Sequence, residues 1–194
     1  LATYREDWEQ LCENALDPNV LLDPALALAA LETIDADKRI SFALVWEEAE
    51  FHRHVPRRLI GLFPMAQPSL RWGLPVGCAQ AWMHIHAFLS TPLLDRENGR
   101  VAAERFFQWL KARRDLPRFL LYPIIGRGEV WEILQQVFTS NNMRADEFDR
   151  RERAMLNSHL DGDHYLRNSL GRKRRKEYRR LRNRLSDFGA VRFR

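Results

Sequence analysis

A segment in the second half of the chain has the residue order of a phosphate-binding helix start. In LLYPIIGRGEVWEIL an apolar run precedes Gly126, Arg127 and Gly128, and a segment of helical period follows. The first backbone N–H groups of a helix lack intrahelical partners, so they can hold an anion. The third glycine of a dinucleotide-binding fingerprint and the Gly-Lys-Ser/Thr of a P-loop are absent, so a simple turn is the competing interpretation. Gly126, Arg127 and Gly128 are therefore a candidate anion or cofactor site.

A basic stretch near the end of the sequence is the second candidate. From Gly171 to Arg194 there are 11 Lys and Arg against two acidic residues, a net charge of +9, whereas Leu1 to Leu170 carries 20 basic and 24 acidic residues. Lys and Arg bind phosphate and carboxylate groups through charge-assisted hydrogen bonds. The candidate contacts to a substrate or to phosphates are Lys173, Arg174, Arg175, Lys176, Arg179 and Arg180.

The same stretch has an apolar stripe at helical spacing, formed by Tyr178, Leu181, Leu185 and Phe188. Three interpretations stay open. The helix connects two domains, or it binds nucleic acid or another polyanion, or its stripe docks a partner helix or a second copy.

The histidines do not predict a metal site. His52 with His54, and His84 with His86, form two His-x-His pairs, but neither pair has a Cys, Asp or Glu at ligand spacing nearby. Nothing in the sequence supports a catalytic role for His159 or His164.

The two cysteines, Cys12 and Cys78, have no framework spacing, so both are expected to stay reduced. Cys12 is expected on the buried face of a helix. Motifs of a nucleophile or of paired carboxylates are absent, so catalytic residues are not assigned.

The elements around these candidates alternate between helix and strand. WEQLCENAL and DPALALAALETI predict two helices, the second with Asp23 as N-cap and Pro24 in its first turn. RISFALVW and RLIGLFPMA predict two antiparallel strands, with Ile40, Phe42, Leu44 and Trp46 on one side of the first strand and Ala43 and Val45 on the other.

The remaining segments continue the alternation. SLRWGLPVGCAQAW is interpreted as an ordered loop, HAFLSTPLLD and RFLLYPII as strands, and NGRVAAERFFQWLKARR as a helix with Ala102, Phe106, Trp109 and Leu110 inward. EVWEILQQVFTSNN predicts an amphipathic helix ended by a left-handed Asn, and MRADEFDRRERAMLNS predicts one or two strands. The fold class is α/β, with a mixed sheet flanked by helices.

Composition and segment order define the organisation of the chain. With 45% hydrophobic and 29% charged residues, and with neither a membrane span nor a signal peptide indicated, we expect a folded cytoplasmic protein. An α/β domain covers residues 1–160, and a basic connecting helix, interrupted near Gly171 and stopped at Gly189, covers 161–189. Residues 190–194 begin a strand of a second domain, which predicts that the native chain continues.

Several segments, in order, resemble the CelD-like acyltransferases of the GNAT superfamily, which are related in build to the FemAB transferases. They are NVLLDPALALAALETI, RLIGLFPM, RWGLPV, AWMHIHAFLSTPLLD and YLRNSLGRKRRKEYRRLRNRLSDFGAVRF. The resemblance spans nearly the whole chain, and its most specific part is RKRRKEYRRLRNRL followed by GAVRF. It implies a GNAT-like α/β domain and a basic helix that introduces a second GNAT domain.

The function implied by this resemblance is that of the N-terminal, non-catalytic half of an acyl-CoA-dependent N- or O-acyltransferase. Acetyl-CoA or another acyl-CoA is the implied co-substrate, bound mainly by the second half, and a small molecule or a saccharide is the implied acceptor. The partner is the protein's own C-terminal GNAT domain, and the chain alone is expected to be inactive. The alternative is a module that binds nucleic acid or another polyanion through the basic helix.

Overall fold

The computed structural model describes residues 2–47, 57–66, 79–113, 119–120, 124, 126–147, 150, 152 and 158–190. The chain divides into two compact units, Leu1–Phe148 and Asp149–Arg194. The first unit contains the helices α1 (Arg5–Glu13), α2 (Pro24–Thr33), α3 (Gly99–Ala112) and α4 (Glu129–Ser140). Its strands are β1 (Ile40–Trp46), β2 (Leu59–Ala66), β3 (Ala79–Ala81), β4 (Leu93–Leu94) and β5 (Phe119–Leu120).

The strands form one mixed sheet with β2 at its centre. Strand β1 pairs antiparallel with β2 along one edge, from Ile40 opposite Ala66 to Trp46 opposite Leu59. The other edge of β2 pairs antiparallel with β4 and with β3, at opposite ends of the strand. Strands β3 and β5 are parallel. The predicted α/β class and the predicted antiparallel pair are therefore confirmed.

Helices cover both faces of this sheet and form two apolar cores. Trp8 and Leu11 of α1 and Ala27 and Ala30 of α2 pack with Leu62 of β2 on one face. On the other face, side chains of α3 and α4 pack against β2 and β4.

The alternation predicted for β1 is confirmed. Phe42 and Leu44 contact the core of α1 and α2, and Ala43 and Val45 contact the core of α3 and α4. Because side chains alternate between the two faces of a strand, β1 contributes to the cores on both sides of the sheet.

Two helix boundaries follow the residues that the sequence indicates. The Asp23 side chain accepts a hydrogen bond from the Ala25 N–H at 2.8 Å, with Pro24 in the first turn of α2. Helix α4 ends before Asn142, whose φ of 50° lies in the left-handed region. Both caps satisfy backbone groups that a helix end leaves without partners.

Some local predictions were wrong. Trp109 was expected inside, but its side chain is 40% exposed, whereas Ala102, Phe106 and Leu110 of α3 are buried. Part of the predicted loop forms strand β3, and the strand predicted in HAFLSTPLLD is reduced to β4. Residues 143–147 form no strand. His52, His54, Cys78 and residues 191–194, which include most of the predicted final strand, lie outside the described residues.

The described residues of the second unit form two helices, α5 (Gly162–Ser169) and α6 (Arg172–Ser186). Leu170, between them, has extended backbone angles (φ −122°, ψ 131°), which confirms the predicted interruption near Gly171. Helix α6 ends three residues before Gly189, which has a positive φ of 157°. The basic stretch therefore forms a separate helix of its own.

Candidate functional site

The predicted anion site at the start of α4 holds a carboxylate of the chain itself. Oδ2 of Asp17 accepts a hydrogen bond from the backbone N–H of Val130 at 3.0 Å. Gly128 is the N-cap residue of α4, and a Cβ added there would lie 2.4 Å from the same Asp17 oxygen. A phosphate would have to displace or share the position of Asp17, next to Glu129 in the first turn. The anion site at Gly126, Arg127 and Gly128 thus stays a prediction.

The basic helix α6 presents its cations to solvent. Of the six candidate contact residues, five are exposed and Arg175 is half-buried. Two guanidinium nitrogens of Arg180 donate to the Glu177 carboxylate at 2.9 and 2.6 Å, and these hydrogen bonds lower the pKa of Glu177. The Nε of Arg175 is shielded from water and has no hydrogen-bond partner among the described residues. Most of the positive charge of α6 is therefore free to meet an anionic partner.

The apolar stripe of α6 is also exposed. The exposed fractions are 47% for Tyr178, 46% for Leu181, 57% for Leu185 and, just beyond the helix end, 89% for Phe188. Apolar side chains at this spacing normally pack against another surface. In the described part of the chain the stripe is therefore an exposed apolar surface, to which a partner could bind.

A buried polar cluster, which the sequence analysis missed, lies between α2 and β3. Asp35 accepts a hydrogen bond from the indole N–H of Trp82 at 2.7 Å and one from the Lys38 ammonium at 2.6 Å. Burial raises the pKa of the Asp35 carboxyl, but these hydrogen bonds and the charges of Lys38 and His84 outweigh it and lower the pKa. The carboxylate is thus ionised and structural.

His84 completes this cluster. Its ring centroid lies 5.6 Å from that of Trp82, and the side chain is only 7% exposed. Burial lowers the pKa of His84, and the nearby Asp35 charge opposes this effect only in part. The backbone N–H of His86 donates to Nδ1 of His84 at 3.3 Å. A neutral imidazole protonated on Nε2 satisfies this contact.

The histidines do not form a metal centre in the described residues. His84 is buried and His86 exposed, with ring centroids 6.4 Å apart. A group of three or more His, Cys, Asp or Glu with metal-binding geometry is absent among the residues described. His159 is exposed, and Nδ1 of His164 contacts Asp161, the N-cap of α5, at 2.6 Å.

The Cys12 thiol is half-buried and donates weakly to the Leu22 carbonyl at 3.6 Å. Burial raises its pKa to about 12, with the nearby Asp23 and Glu9 charges adding to the effect. A thiol of such low acidity is protonated at neutral pH and is a poor nucleophile.

A shallow groove of about 420 Å³ runs between β1 and α3. Arg105 lines it and donates to the Trp46 carbonyl at 2.8 Å, and the Arg57 guanidinium stacks 4.0 Å from the Trp46 ring centroid. The lining residues are Ala43, Leu44, Val45, Trp46, Arg105, Phe106 and Trp109. The groove therefore offers an apolar surface without a general acid, general base or nucleophile among its lining residues.

Comparison with known proteins adds no relative: no family model, curated protein or solved structure matches the chain. None of the described helices is both long enough and apolar enough to span a bilayer.

Proposed function

We propose that this chain is the N-terminal, non-catalytic half of an acyl-CoA-dependent N- or O-acyltransferase of the GNAT type. The observation that supports it is the order of the two units. A mixed sheet between helix layers is followed by a separate basic helix, α6, which contains the segment that carries the most specific resemblance to CelD-like acyltransferases.

Hydrogen-bonded carboxylates of the first unit support a structural role for this half. Asp17 caps α4, and Asp35 holds Trp82 and Lys38. Asp95 accepts hydrogen bonds from the backbone N–H groups of Glu97 and Asn98 at the start of α3. Each of these carboxylates is thus committed to holding the fold, whereas a general base needs a group that can reach the substrate's proton.

In the proposed reaction, the amine or hydroxyl of the acceptor attacks the thioester carbonyl carbon of acyl-CoA. Backbone N–H donors stabilise the oxyanion that develops, and the carbon–sulfur bond then breaks. The acceptor loses a proton to a base or water, and the CoA sulfur takes up a proton as it leaves, so that CoA is released as its thiol. We place this chemistry in a following GNAT domain, with acetyl-CoA or another acyl-CoA as donor.

Helix α6 is proposed to contribute charge to that site. The exposed cations Lys173, Arg174, Lys176 and Arg179 and the half-buried Arg175 would hold CoA phosphates or an anionic saccharide acceptor. Arg180, already paired with Glu177, would contribute less.

The first experiment is a calorimetric titration of the chain with acetyl-CoA, together with an assay of CoA thiol release. We expect neither binding nor turnover from this chain, and both from a longer protein that continues past Arg194. Turnover by the chain alone would contradict the non-catalytic assignment. A longer protein that does not bind acetyl-CoA would contradict the acyltransferase assignment.

The second experiment tests α6 in the longer protein. Charge reversal by Arg174→Glu with Arg175→Glu should raise KM for acyl-CoA or for an anionic acceptor about tenfold or more, because charge-assisted contacts are lost. The control reverses two exposed cations of the first unit, Arg39→Glu with Lys111→Glu, and should leave the kinetics unchanged. Unchanged kinetics in the α6 variant would remove α6 from the site.

A further inference from the structure

Helix α6 combines two features that a single partner can satisfy together. Nine of its residues are Lys or Arg and one is acidic, and the same helix carries the exposed stripe of Tyr178, Leu181 and Leu185. Phe188 extends the stripe beyond the helix end. A partner that meets only the charge leaves this apolar surface in water.

Cations lie beside the stripe on both flanks, and Arg174, four residues before Tyr178, lies in line with it. With 3.6 residues per turn, Arg180 and Arg184 fall on one side of the line through Leu181 and Leu185, and Arg182 falls on the other side with Arg175. Long Arg side chains at such positions can extend away from an apolar surface towards anionic groups at its rim. The guanidinium of Arg175, whose Nε has no hydrogen-bond partner in the described residues, is on this flank.

The combination of positive charge with an exposed apolar stripe favours some partners over others. A second copy of α6 would bring two strongly cationic helices together, which is unfavourable. Nucleic acid would neutralise the cations through its phosphates but would not bury the leucines. An anionic bilayer surface meets both demands, since its headgroups contact Lys and Arg while the stripe enters the boundary between headgroups and acyl chains.

The distribution of aromatic residues along the stripe also fits a bilayer surface. Tyr178 and Phe188 lie towards its two ends, with the two leucines between them. Tyrosine and phenylalanine are common where an amphipathic helix lies in the interface. We propose that α6 is a peripheral membrane-binding helix, which lies flat on an anionic bilayer with Leu181 and Leu185 inserted below the headgroups. The inference rests on α6 alone and does not depend on acyl transfer.

Vesicle flotation of the 194-residue chain tests this inference. Vesicles of phosphatidylcholine alone are compared with vesicles that contain about 30% phosphatidylserine, in about 0.1 M salt. We expect the protein to float with the anionic vesicles and to stay in solution with the neutral ones. An absence of flotation with the anionic vesicles would overturn the proposal.

Two variants separate insertion from charge attraction. Leu181→Ser with Leu185→Ser should weaken binding to anionic vesicles about tenfold or more, because less apolar surface is buried. The control is Val20→Ser with Leu26→Ser, which changes two exposed apolar residues of the first unit and should bind as the wild type does. Both changes are at exposed positions, and circular dichroism checks that α6 still forms.

The same proteins are then titrated into labelled single-stranded and duplex DNA. If the leucine variant binds vesicles as the wild type does, the contact is one of charge alone and the proposal fails. If DNA binds more tightly than the anionic vesicles and the leucine change has no effect on either, a nucleic-acid partner replaces the membrane. Weaker vesicle binding by the leucine variant, with unchanged DNA binding, supports the proposal.

Discussion

The carboxylate of Asp17 accepts a hydrogen bond from the backbone N–H of Val130, a residue 113 positions later in the chain. This contact caps α4 with a side chain from the segment between α1 and α2. Gly128 makes it possible, because any Cβ at this position would collide with the carboxylate. The residues that resemble a phosphate-binding turn thus leave room for an internal anion.

Loss of this cap should destabilise the protein. Asp17→Ala removes the acceptor and the negative charge at the start of α4, so the free energy of unfolding should fall by about 1–2 kcal/mol. Asp17→Asn retains an oxygen acceptor and should lose less. Urea denaturation followed by circular dichroism measures both, and an Asp17→Ala protein as stable as the wild type would contradict the capping role.

The same variants test the predicted anion site at Gly126, Arg127 and Gly128. If this helix start can hold phosphate, Asp17→Asn should be stabilised by added inorganic phosphate more than the wild type is, because the competing charge is gone. Equal stabilisation of both proteins would argue against an anion site here.

Gly61 lies where strand β2 passes close to helix α3. A Cβ at this position would be 2.8 Å from Cβ of Ala102 and 3.3 Å from the ring of Phe63. Gly61→Ala should therefore lower the free energy of unfolding by about 1–3 kcal/mol, because β2 and α3 must move apart. Thermal and urea unfolding measure the change.

Two further variants make this test specific. Gly126→Ala meets no atom within 4 Å and should leave stability nearly unchanged. In the double variant Gly61→Ala with Ala102→Gly, the smaller residue on α3 relieves the collision. The loss should then be smaller than the sum of the two single changes. If the loss in the double variant equals the sum of the two single losses, contact with Ala102 does not explain the destabilisation by Gly61→Ala.

The sequence predicts the local elements well where a period is clear. The alternation of Phe42, Ala43, Leu44 and Val45 correctly assigns the two faces of β1, since strand periodicity depends only on local geometry. Trp109 is different. It belongs to the apolar arc of α3, but it lies beside β1, which pairs only with β2 in the described part of the chain, so the sheet does not cover it. Whether Trp109 is buried depends on the extent of the sheet, which the sequence of α3 does not show.

Long-range polar contacts could not be predicted from the sequence. Asp35 and Trp82 are 47 residues apart, and neither lies in a recognisable motif. The sequence around Asp17 predicts only a loop residue, because its contact with α4 depends on the folded structure. Such contacts depend on the packing of elements that are distant in sequence, whereas the basic charge and the apolar stripe of α6 are local and were visible directly.

His84 makes stability depend on pH in a defined direction. Because its pKa in the folded protein lies below 6.5, the unfolded chain binds more protons than the folded one between the two values. Its contribution to the free energy of unfolding is therefore complete above pH 6.5 and is lost as the pH falls towards the folded pKa. Asp35 attracts the imidazolium and limits this loss, whereas His86 and Lys38 add to it.

His84→Gln should remove this part of the pH dependence. Between about pH 7 and 5, the free energy of unfolding of the wild type should decline more steeply than that of the variant, with one proton accounting for at most about 1.4 kcal/mol per pH unit. His159→Gln changes an exposed histidine and should retain the slope due to His84. Since the pKa of Asp35 is lowered from 3.8, its contribution is lost only below that pH, outside the range from pH 7 to 5 that this comparison uses. Parallel curves for the wild type and His84→Gln over this range would show that burial of the imidazole does not oppose its protonation.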